Sequence, residues 1–398
     1  MPFYRCVGDV PRKRHTIHHV DGAMVFEELM GTDGFSGASS LLYHRHSPSA
    51  IVGITPVESE PVSFAPNMPL RPHHLRTGQL GNGASSEPVL GRQALLGNDD
   101  VSVSFVSACS SSPLYRNATG DELIYVQSGS AVLESVFGRI AVGPGDYVIV
   151  PMSTTHRWVV DGDEEPTDLL IVAARGHITV PARYTNATGQ LLEGAPFSER
   201  DLRGPAGQPI VEDGDNISVL VRTRSGLSIH NHATHPFDVV GWDGCLYPWA
   251  FNIADFEPIV GRIHQPPPVH QTFAGNGFVV CSFVPRLLDL DPNSVKVPYH
   301  HANVDTDEVL FYSGGDFISR AGSGIGLGSV SVHPAGFIHG PQPGSHERTI
   351  GVARTAETAV MLDAFSPLGL TSKALAVSDP DYPWSWAGGV RRSQIDAK

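Results

Sequence analysis

Two blocks of metal-binding residue types recur in the sequence, one in each half of the chain. In the C-terminal block, His301 precedes Glu308 by seven positions, and His339 follows further along. Two imidazoles and one carboxylate can hold a single metal ion and leave about three coordination positions open. Mononuclear non-haem Fe(II) oxygenases use this ligand set. The sequence therefore predicts an Fe(II) site with His301, Glu308 and His339 as its ligands.

The N-terminal block lacks one of these ligands. Tyr115 stands where the C-terminal block has His301, while Glu122 and His156 remain. The two glutamates are 186 residues apart and the two histidines of the second motif are 183 residues apart. Matched blocks at a nearly constant offset indicate an internal repeat. We therefore expect two homologous barrels, of which the N-terminal one is degenerate and structural.

Short apolar runs separated by turn residues predict the elements that position these blocks. The runs are rich in β-branched or aromatic residues and are bounded by Gly, Pro, Asp or Asn, as strands are. Examples are 101–106, 123–126, 147–150, 169–172, 277–284 and 309–312. Helical patterns are rare, with 372–377 as one candidate. The sequence predicts an all-β fold with few short helices.

The C-terminal block resembles the two sequence motifs of the cupin superfamily. The residues that match are His301, Glu308 and Gly315 in the first motif and Gly328, Pro334, Gly336 and His339 in the second. The resemblance implies a bicupin, a protein of two jelly-roll barrels. Asn303 stands at the second histidine of the first motif, so we expect three protein ligands rather than four.

Three further stretches narrow the resemblance to the homogentisate 1,2-dioxygenase family. They read Pro-Phe-Asp-Val-Val-Gly-Trp-Asp-Gly at 236–244, Tyr-His-His-Ala-Asn at 299–303 and His-x5-His-Gly-Pro at 333–341. The resemblance implies an Fe(II) enzyme of tyrosine and phenylalanine catabolism that inserts both atoms of O2 into homogentisate and yields maleylacetoacetate. It also implies a homo-oligomer, a trimer or a hexamer.

Two positions depart from what the family implies. Asp243 stands where the family carries the histidine assigned as the proton acceptor. We expect either Asp243 or His333 to serve as the catalytic base, with a turn residue in Asp-Gly as the alternative for Asp243. Phe317 stands where the family carries a substrate-contacting tyrosine, which would remove one phenolic hydrogen bond to the substrate.

Other side chains are expected to contact the substrate. Tyr299 precedes His301 by two positions, so both share one strand face. His270 follows a rigid Gln-Pro-Pro-Pro stretch and either approaches the site or fixes that loop. Asn303 and the ligand His339 complete the expected set of substrate contacts.

The bulk composition excludes several classes of partner. A net charge of −14 argues against a nucleic acid or an anionic membrane. The four cysteines are far apart and form no Cys-x-x-Cys pair, which favours a reducing cytoplasm. No run approaches the roughly 18 apolar residues of a membrane span. The expected partners are a small aromatic substrate and O2.

The repeat also predicts a domain layout. The expected segments are an N-terminal β-rich extension at 1–95, the first barrel at 96–180, a linker at 181–208, the second barrel at 209–370 and a tail at 371–398.

Two other functions stay open at the sequence level. One is a dioxygenase for another hydroquinone or a gentisate-like substrate, and the other is a Zn(II) or Mn(II) cupin isomerase or hydrolase, or a cupin that binds metal without turnover.

Overall fold

Strands dominate the computed structural model, which describes residues 3–58, 60–81, 86–161, 165–260 and 267–388, without the side chains of 267 and 268. This confirms the all-β prediction. The strands are β1 Arg5–Gly8, β2 His19–Val20, β3 Ala23–Met24, β4 Phe26–Gly31, β5 Ser39–His44, β6 Ile51–Val57, β7 His73–Arg76, β8 Gln93–Gly97, β9 Val101–Ala108, β10 Tyr115–Asn117, β11 Glu122–Ser128, β12 Ala131–Ser135, β13 Gly138–Val142, β14 Asp146–Val150, β15 His156–Val159, β16 Thr167–Ala174, β17 Leu202–Arg203, β18 Asp215–Thr223, β19 Gly226–Thr234, β20 Val239–Gly244, β21 Trp249–Asn252, β22 Gln271–Gly275, β23 Phe278–Phe283, β24 Arg286–Leu287, β25 Asp307–Gly314, β26 Ser329–His333, β27 Arg354–Thr355, β28 Thr358–Ala364 and β29 Gly369–Leu370.

The helices are short. The α-helices are α1 Ser345–Arg348 and α2 Ser372–Ala376, the second of which confirms the helix predicted at 372–377. Single 3₁₀ turns lie at Asp33–Phe35, Thr77–Gln79, Ala182–Tyr184, Glu199–Asp201, Ile253–Asp255, Pro267–His270 and Tyr382–Ala387. No helix within the described ranges is long and apolar enough to cross a membrane.

The first of two compact units contains the N-terminal block of the repeat. It comprises Met1–Pro61, Asn82–Arg92 and Ser104–Asp255. One of its sheets runs β13-β12-β15-β10-β18-β19-β6, and another includes β17-β21-β14-β11-β16. Alternate residues of β11 point to the same side, so Ile124 and Val126 enter one apolar core together with Leu133 and Trp158.

The second unit contains the C-terminal block. It comprises Val62–Gly81, Gln93–Val103 and Phe256–Lys398, and its main sheet runs β22-β23-β28-β25-β26-β7. On the central strand β25, Leu310 and Tyr312 point to one side and enter a buried cluster with Met361. Glu308 lies on the same side of β25, because side chains two positions apart share a face.

The glycine that closes the first motif is required by close packing. Gly315 follows β25 with φ +93°, a backbone conformation that other residues adopt at a cost. A Cβ atom at this position would come within 2.0 Å of the carbonyl oxygen of Ala356. Gly315 therefore lets the chain turn directly after the strand that carries Glu308.

The units do not follow the expected boundary at residue 209. β18 pairs in parallel with β10, with Leu220 opposite Tyr115, and β21 pairs with β14, with Ala250 opposite Val148. These hydrogen bonds place 215–252 in the first unit, and the main segment of the second unit begins at Phe256. The repeat indicated two matched blocks but did not encode which strands pair around them.

The expected N-terminal extension and C-terminal tail are also parts of the units. β6 pairs with β19 in the first unit, whereas β7 pairs with β26 in the second. From the expected tail at 371–398, Tyr382 is fully buried in the second unit. The last stretch of that tail, 389–398, lies outside the described residues.

Candidate metal centre

Glu308 is fixed by the residue before it. The carboxylate of Asp307 accepts hydrogen bonds from the backbone N–H groups of Ala335, at 2.8 Å, and Leu368, at 2.7 Å. Asp307 thus ties the start of β25 to two loops, one of them the turn that precedes His339. Glu308 is 3% exposed and points to the opposite side of the strand.

His301 and His339 are held side by side by their backbones. The N–H of His301 donates to the carbonyl of His339 at 2.8 Å, and the N–H of His339 donates back at 2.9 Å. This reciprocal pair forms an isolated antiparallel bridge and brings the two ring centroids within 4.4 Å. Two ligands that are 38 positions apart in sequence therefore enter the site together.

Backbone carbonyls select the same tautomer in both histidines. Nδ1 of His301 lies 2.9 Å from the carbonyl oxygen of Tyr299, and Nδ1 of His339 lies 3.0 Å from that of Phe337. Because a carbonyl can only accept, each Nδ1 carries the proton in the neutral ring. Each Nε2 is then left with a lone pair that can bind a metal ion.

The three ligand atoms converge and fit a metal ion. Nε2 of His301 lies 3.7 Å and Nε2 of His339 lies 3.2 Å from the carboxylate oxygens of Glu308. Both Nε2 atoms are buried without a hydrogen-bond partner, and one ligand atom from each of the three residues lies within 4.8 Å of the others. Buried polar atoms without a partner are costly. A bound cation would satisfy all three residues.

The electrostatics favour the ligand form of Glu308. Burial by itself raises the pKa of a carboxyl group, but the imidazoles of His301, His333 and His339 outweigh that effect and hold the pKa of Glu308 well below its usual range. The carboxylate is therefore deprotonated at neutral pH, as metal binding requires.

His333 supports Glu308 and does not face the substrate space, which corrects its expected role as a base. Its Nδ1 donates to Glu308 Oε1 at 2.8 Å, and its Nε2 accepts from the hydroxyl of Tyr382 at 2.9 Å. Both ring nitrogens are thus engaged, and the side chain is fully buried. Burial lowers the pKa of His333 to about 3, so the ring stays neutral. Hydrogen bonds of this kind orient metal ligands.

A cavity of about 300 Å³ opens onto the centre within the second unit. His301 and Glu308 line it, and so do Tyr299 and His270, whose contact with a substrate stays a prediction. Its apolar walls include Val260, Leu287, Val295, Leu310, Ile318 and Met361. Apolar walls with a few polar groups at one place are typical of sites for small organic ligands.

Asn303 and Phe317 are not among the residues that line this cavity, so the structure does not support their expected substrate contacts. The amide of Asn303 donates to the carboxylate of Asp363 at 3.4 Å. Phe317 is 8% exposed and packs edge-on against Tyr312, with ring centroids 5.1 Å apart. Its positive φ of 41° turns the side chain into the core.

Asp243 is occupied elsewhere, which corrects its expected role as a base. It lies on β20 in the first unit, where its carboxylate accepts hydrogen bonds from the hydroxyl of Tyr4, at 2.5 Å, and from Nε of Arg14, at 2.6 Å. Nη2 of Arg14 also donates to the backbone carbonyl of Asp243 at 3.0 Å. All described residues that line the cavity at Glu308 belong to the second unit.

Two residues of the centre carry no signal in the sequence pattern. Tyr382 lies in the expected tail, yet its hydroxyl completes the hydrogen-bond chain through His333 to Glu308. Arg320 lines the cavity although its side chain is buried. The three stretches that resemble the homogentisate 1,2-dioxygenase family include neither Tyr382 nor Arg320. Both residues reach the site only through the fold of the chain.

In the first unit an arginine takes the place that a metal would need. Arg92 binds both carboxylate oxygens of Glu122, at 2.7 and 2.8 Å, and the hydroxyl of Tyr115 donates to the same carboxylate at 3.1 Å. Burial raises the pKa of Glu122, but Arg92 outweighs that effect and holds it at about 2. Within the described part of the chain, the group around Glu308 is the one cluster with metal-site geometry.

Comparisons with known proteins agree with this arrangement. A family model described as a cupin domain matches residues 106–173. A protein from Saccharolobus solfataricus that carries the provisional name of a dioxygenase is 41% identical over 390 residues, which is 97% of this chain and 99% of that one. The chain belongs to the homogentisate dioxygenase-like family of the cupin superfamily. The cupin fold and the family resemblance predicted from the sequence are thereby confirmed.

Other proteins that are similar to the chain match it over a smaller part. Homogentisate 1,2-dioxygenase from Bradyrhizobium diazoefficiens is 25% identical over 296 residues, which is 70% of this chain and 63% of that enzyme. The match thus spans less than two thirds of that dioxygenase. A solved cupin 2 barrel protein from Leptotrichia buccalis covers 74% of this chain with 10% identity and a TM-score of 0.32.

We expect the two halves of this family member to differ in metal binding. His339→Ala removes one of three converging ligands, so the variant should lose the bound metal. His156→Ala should keep it, because the carboxylate near His156 is already paired with Arg92. Metal content of the purified variants, measured by elemental mass spectrometry after loading with Fe(II), tests this. Equal loss in both variants would refute a purely structural first barrel.

Support of Glu308 by His333 is testable by metal affinity. We expect His333→Ala to weaken Fe(II) binding by roughly 10- to 100-fold, as loss of a hydrogen-bond partner of a ligand typically does. The matched control is His346→Ala, an exposed histidine of the same unit. Anaerobic titration against a competing chelator gives both affinities. An unchanged affinity of His333→Ala for Fe(II) would show that His333 does not support Glu308 in metal binding.

The Arg92–Glu122 pair should be a large stabilising element. Arg92→Met leaves a buried carboxylate unpaired, which costs about 3–5 kcal/mol. Arg139 provides the control, because its side chain is 51% exposed and its partner Glu134 is also bound by Arg157. Arg139→Met should therefore cost about 1 kcal/mol or less. Urea unfolding at pH 7 gives both free energies of unfolding.

The pH dependence of this pair has a defined sign. The pKa of Glu122 is lowered in the folded protein, so its stabilisation is present above the ordinary carboxyl pKa and is lost as the pH falls toward about 2. The difference between wild type and Arg92→Met should therefore shrink on acidification. A difference that grows as the pH falls would contradict the assignment.

Proposed function

We propose that the protein is a non-haem Fe(II) dioxygenase that cleaves the ring of homogentisate or of a closely related hydroquinone. The observation that carries this proposal is the convergence of two unpartnered Nε2 atoms and one carboxylate beside an apolar cavity. His301, Glu308 and His339 would hold the iron, which supplies a place where O2 and the aromatic ring react. The relatives named as homogentisate 1,2-dioxygenases support the substrate.

The atoms of the proposed reaction balance without a further reductant. Homogentisate plus O2 gives maleylacetoacetate, with one ring carbon–carbon bond and the O–O bond broken and with two new carbon–oxygen bonds. Both oxygen atoms end in the product. The four electrons that reduce O2 come from the substrate, so no nicotinamide or flavin site is required.

The residues of the chain would position and protect the reactants. Walls such as Leu310 and Met361 exclude water from the ring, which strengthens electrostatic interactions inside the cavity. The imidazole of His270 lines the same cavity and packs against Phe283 at 4.7 Å between ring centroids. Among the described lining residues it is the one histidine outside the ligand set. We assign it the role of accepting the proton of a ring hydroxyl in place of Asp243 and His333.

The test is oxygen uptake by the Fe(II)-loaded protein under reducing conditions. We expect one O2 to be consumed for each homogentisate, with both atoms of labelled O2 found in the product by mass spectrometry. Gentisate and homoprotocatechuate extend the panel, because they carry the hydroxyl and carboxylate groups in other arrangements. Zn(II)-loaded protein and Glu308→Ala are the inactive controls. No oxygen consumption on any of the three substrates would refute the dioxygenase proposal.

Two expectations lie outside this test. The trimer or hexamer implied by the family resemblance stays a prediction, and so does the cytoplasmic location. Substrate and O2 as the two reacting partners follow from the family to which the chain belongs.

A further inference from the structure

A buried arginine beside the candidate metal centre, Arg320, forms no ion pair with any described carboxylate. Arg320 follows β25 in a turn in which its N–H donates to the carbonyl of Phe317 at 2.8 Å, and the residue is 6% exposed. Nε donates to the hydroxyl of Tyr312 at 3.1 Å, and Nη1 donates to the carbonyl of Gly340, the residue after His339. The guanidinium is therefore held rigidly by two neutral acceptors.

Two other arginines with largely buried side chains, Arg92 and Arg286, differ from Arg320 in this respect. Arg92 binds both oxygens of Glu122, and Arg286, which lines the same cavity as Arg320, lies 3.8 Å from Glu357. No described carboxylate makes an ion pair with Arg320, and no described group accepts from its Nη2. The carboxylates of Glu308 and Glu357 act on Arg320 through space without forming an ion pair with it. A buried guanidinium is costly to desolvate, so a direct anionic partner is missing.

The position of Arg320 indicates where that anion comes from. Arg320 lines the same cavity as His301 and Glu308, and Nη2 is the guanidinium nitrogen left for a ligand there. With Fe(II) bound, the single negative charge of Glu308 is more than neutralised, so this part of the cavity carries net positive charge. A substrate that brings a carboxylate as well as an ionisable ring hydroxyl would balance it.

We propose that Arg320 is the residue that selects aromatic substrates with a carboxylate, by donating to that carboxylate through Nη2 while the ring lies at the metal. This rests on the proposed function and deepens it, because it states which part of the substrate is recognised and by which side chain. A guanidinium suits this task, since its charge is permanent and its N–H groups match a carboxylate.

The experiment compares homogentisate with methylhydroquinone, which has the same ring but a methyl group in place of the carboxymethyl group. Dissociation constants are measured by calorimetry on the Fe(II)-loaded full chain without O2, and kcat/KM is measured separately by oxygen uptake. We expect the wild type to prefer homogentisate on the order of 100-fold, because loss of one partner of a buried charged hydrogen bond is costly.

The variants separate recognition from packing. Arg320→Met should reduce that preference at least tenfold, mainly by weakening homogentisate, and Arg320→Lys should retain part of it because the charge remains. Arg286→Met is the matched control, since Arg286 lines the cavity but already has Glu357 as its partner, and it should keep the preference. Iron content is measured in each variant, so that loss of the metal is recognised.

Each outcome decides the proposal. Equal binding of the two ligands by the wild type overturns it without any variant, and so does an unchanged preference in Arg320→Met. A preference lost in Arg286→Met but kept in Arg320→Lys and Arg320→Met assigns the carboxylate to Arg286 and also overturns it. Failure of the dioxygenase proposal can be told apart from failure of the Arg320 proposal. In that case the protein would consume no O2 but would still bind homogentisate more tightly than methylhydroquinone in the absence of O2.

Discussion

Each barrel contains a buried carboxylate at the start of a central strand, and the structure depends on how that charge is neutralised. In the first unit the partner is a guanidinium, since Arg92 binds both oxygens of Glu122. In the second unit the neighbours are neutral imidazoles, and two of them keep an Nε2 lone pair beside Glu308, so a bound cation would be needed to neutralise the carboxylate. Related strands therefore lead to a structural ion pair in one unit and to a candidate metal centre in the other.

This difference explains why the N-terminal block retains Glu122 and His156 without being a metal site. A cation is needed beside a buried carboxylate in either case, because an unpaired buried charge would destabilise the fold. Arg92 supplies it permanently and uses both oxygens of Glu122. Tyr115, which stands where the other block has His301, adds a hydroxyl donor to the same carboxylate. Two retained ligand types do not make a site when the charge is already paired.

The sequence indicated that His301, Glu308 and His339 converge, because their geometry is largely local; their role as metal ligands stays a prediction. Glu308 lies on a strand whose alternation is visible in the sequence, and the Pro–Gly turn that leads to His339 has fixed spacing. Side chains whose neighbours are far away in sequence were predicted poorly. Asp243 binds Tyr4 and Arg14, more than 220 positions before it, and no pattern near Asp243 indicates those partners.

Backbone conformation accounts for the other differences. Phe317 has a positive φ that turns its ring into the core, so counting residues from Glu308 placed it in the substrate space incorrectly. The same turn leads to Arg320, whose role depends on the absence of a partner rather than on any motif. The domain boundary was misplaced because β18 and β21 pair with strands of the first unit, and pairing over such distances leaves no trace in hydrophobic patterning.

The hydroxyl of Tyr382, which completes the chain of hydrogen bonds through His333 to Glu308, connects the site to a segment late in the chain. A ribosome releases Glu308 74 residues before it releases Tyr382. A nascent chain can thus present all three ligands while the imidazole behind the carboxylate still lacks its outer donor. The hydrogen-bond chain to Glu308 is complete only after that late segment has emerged and folded back.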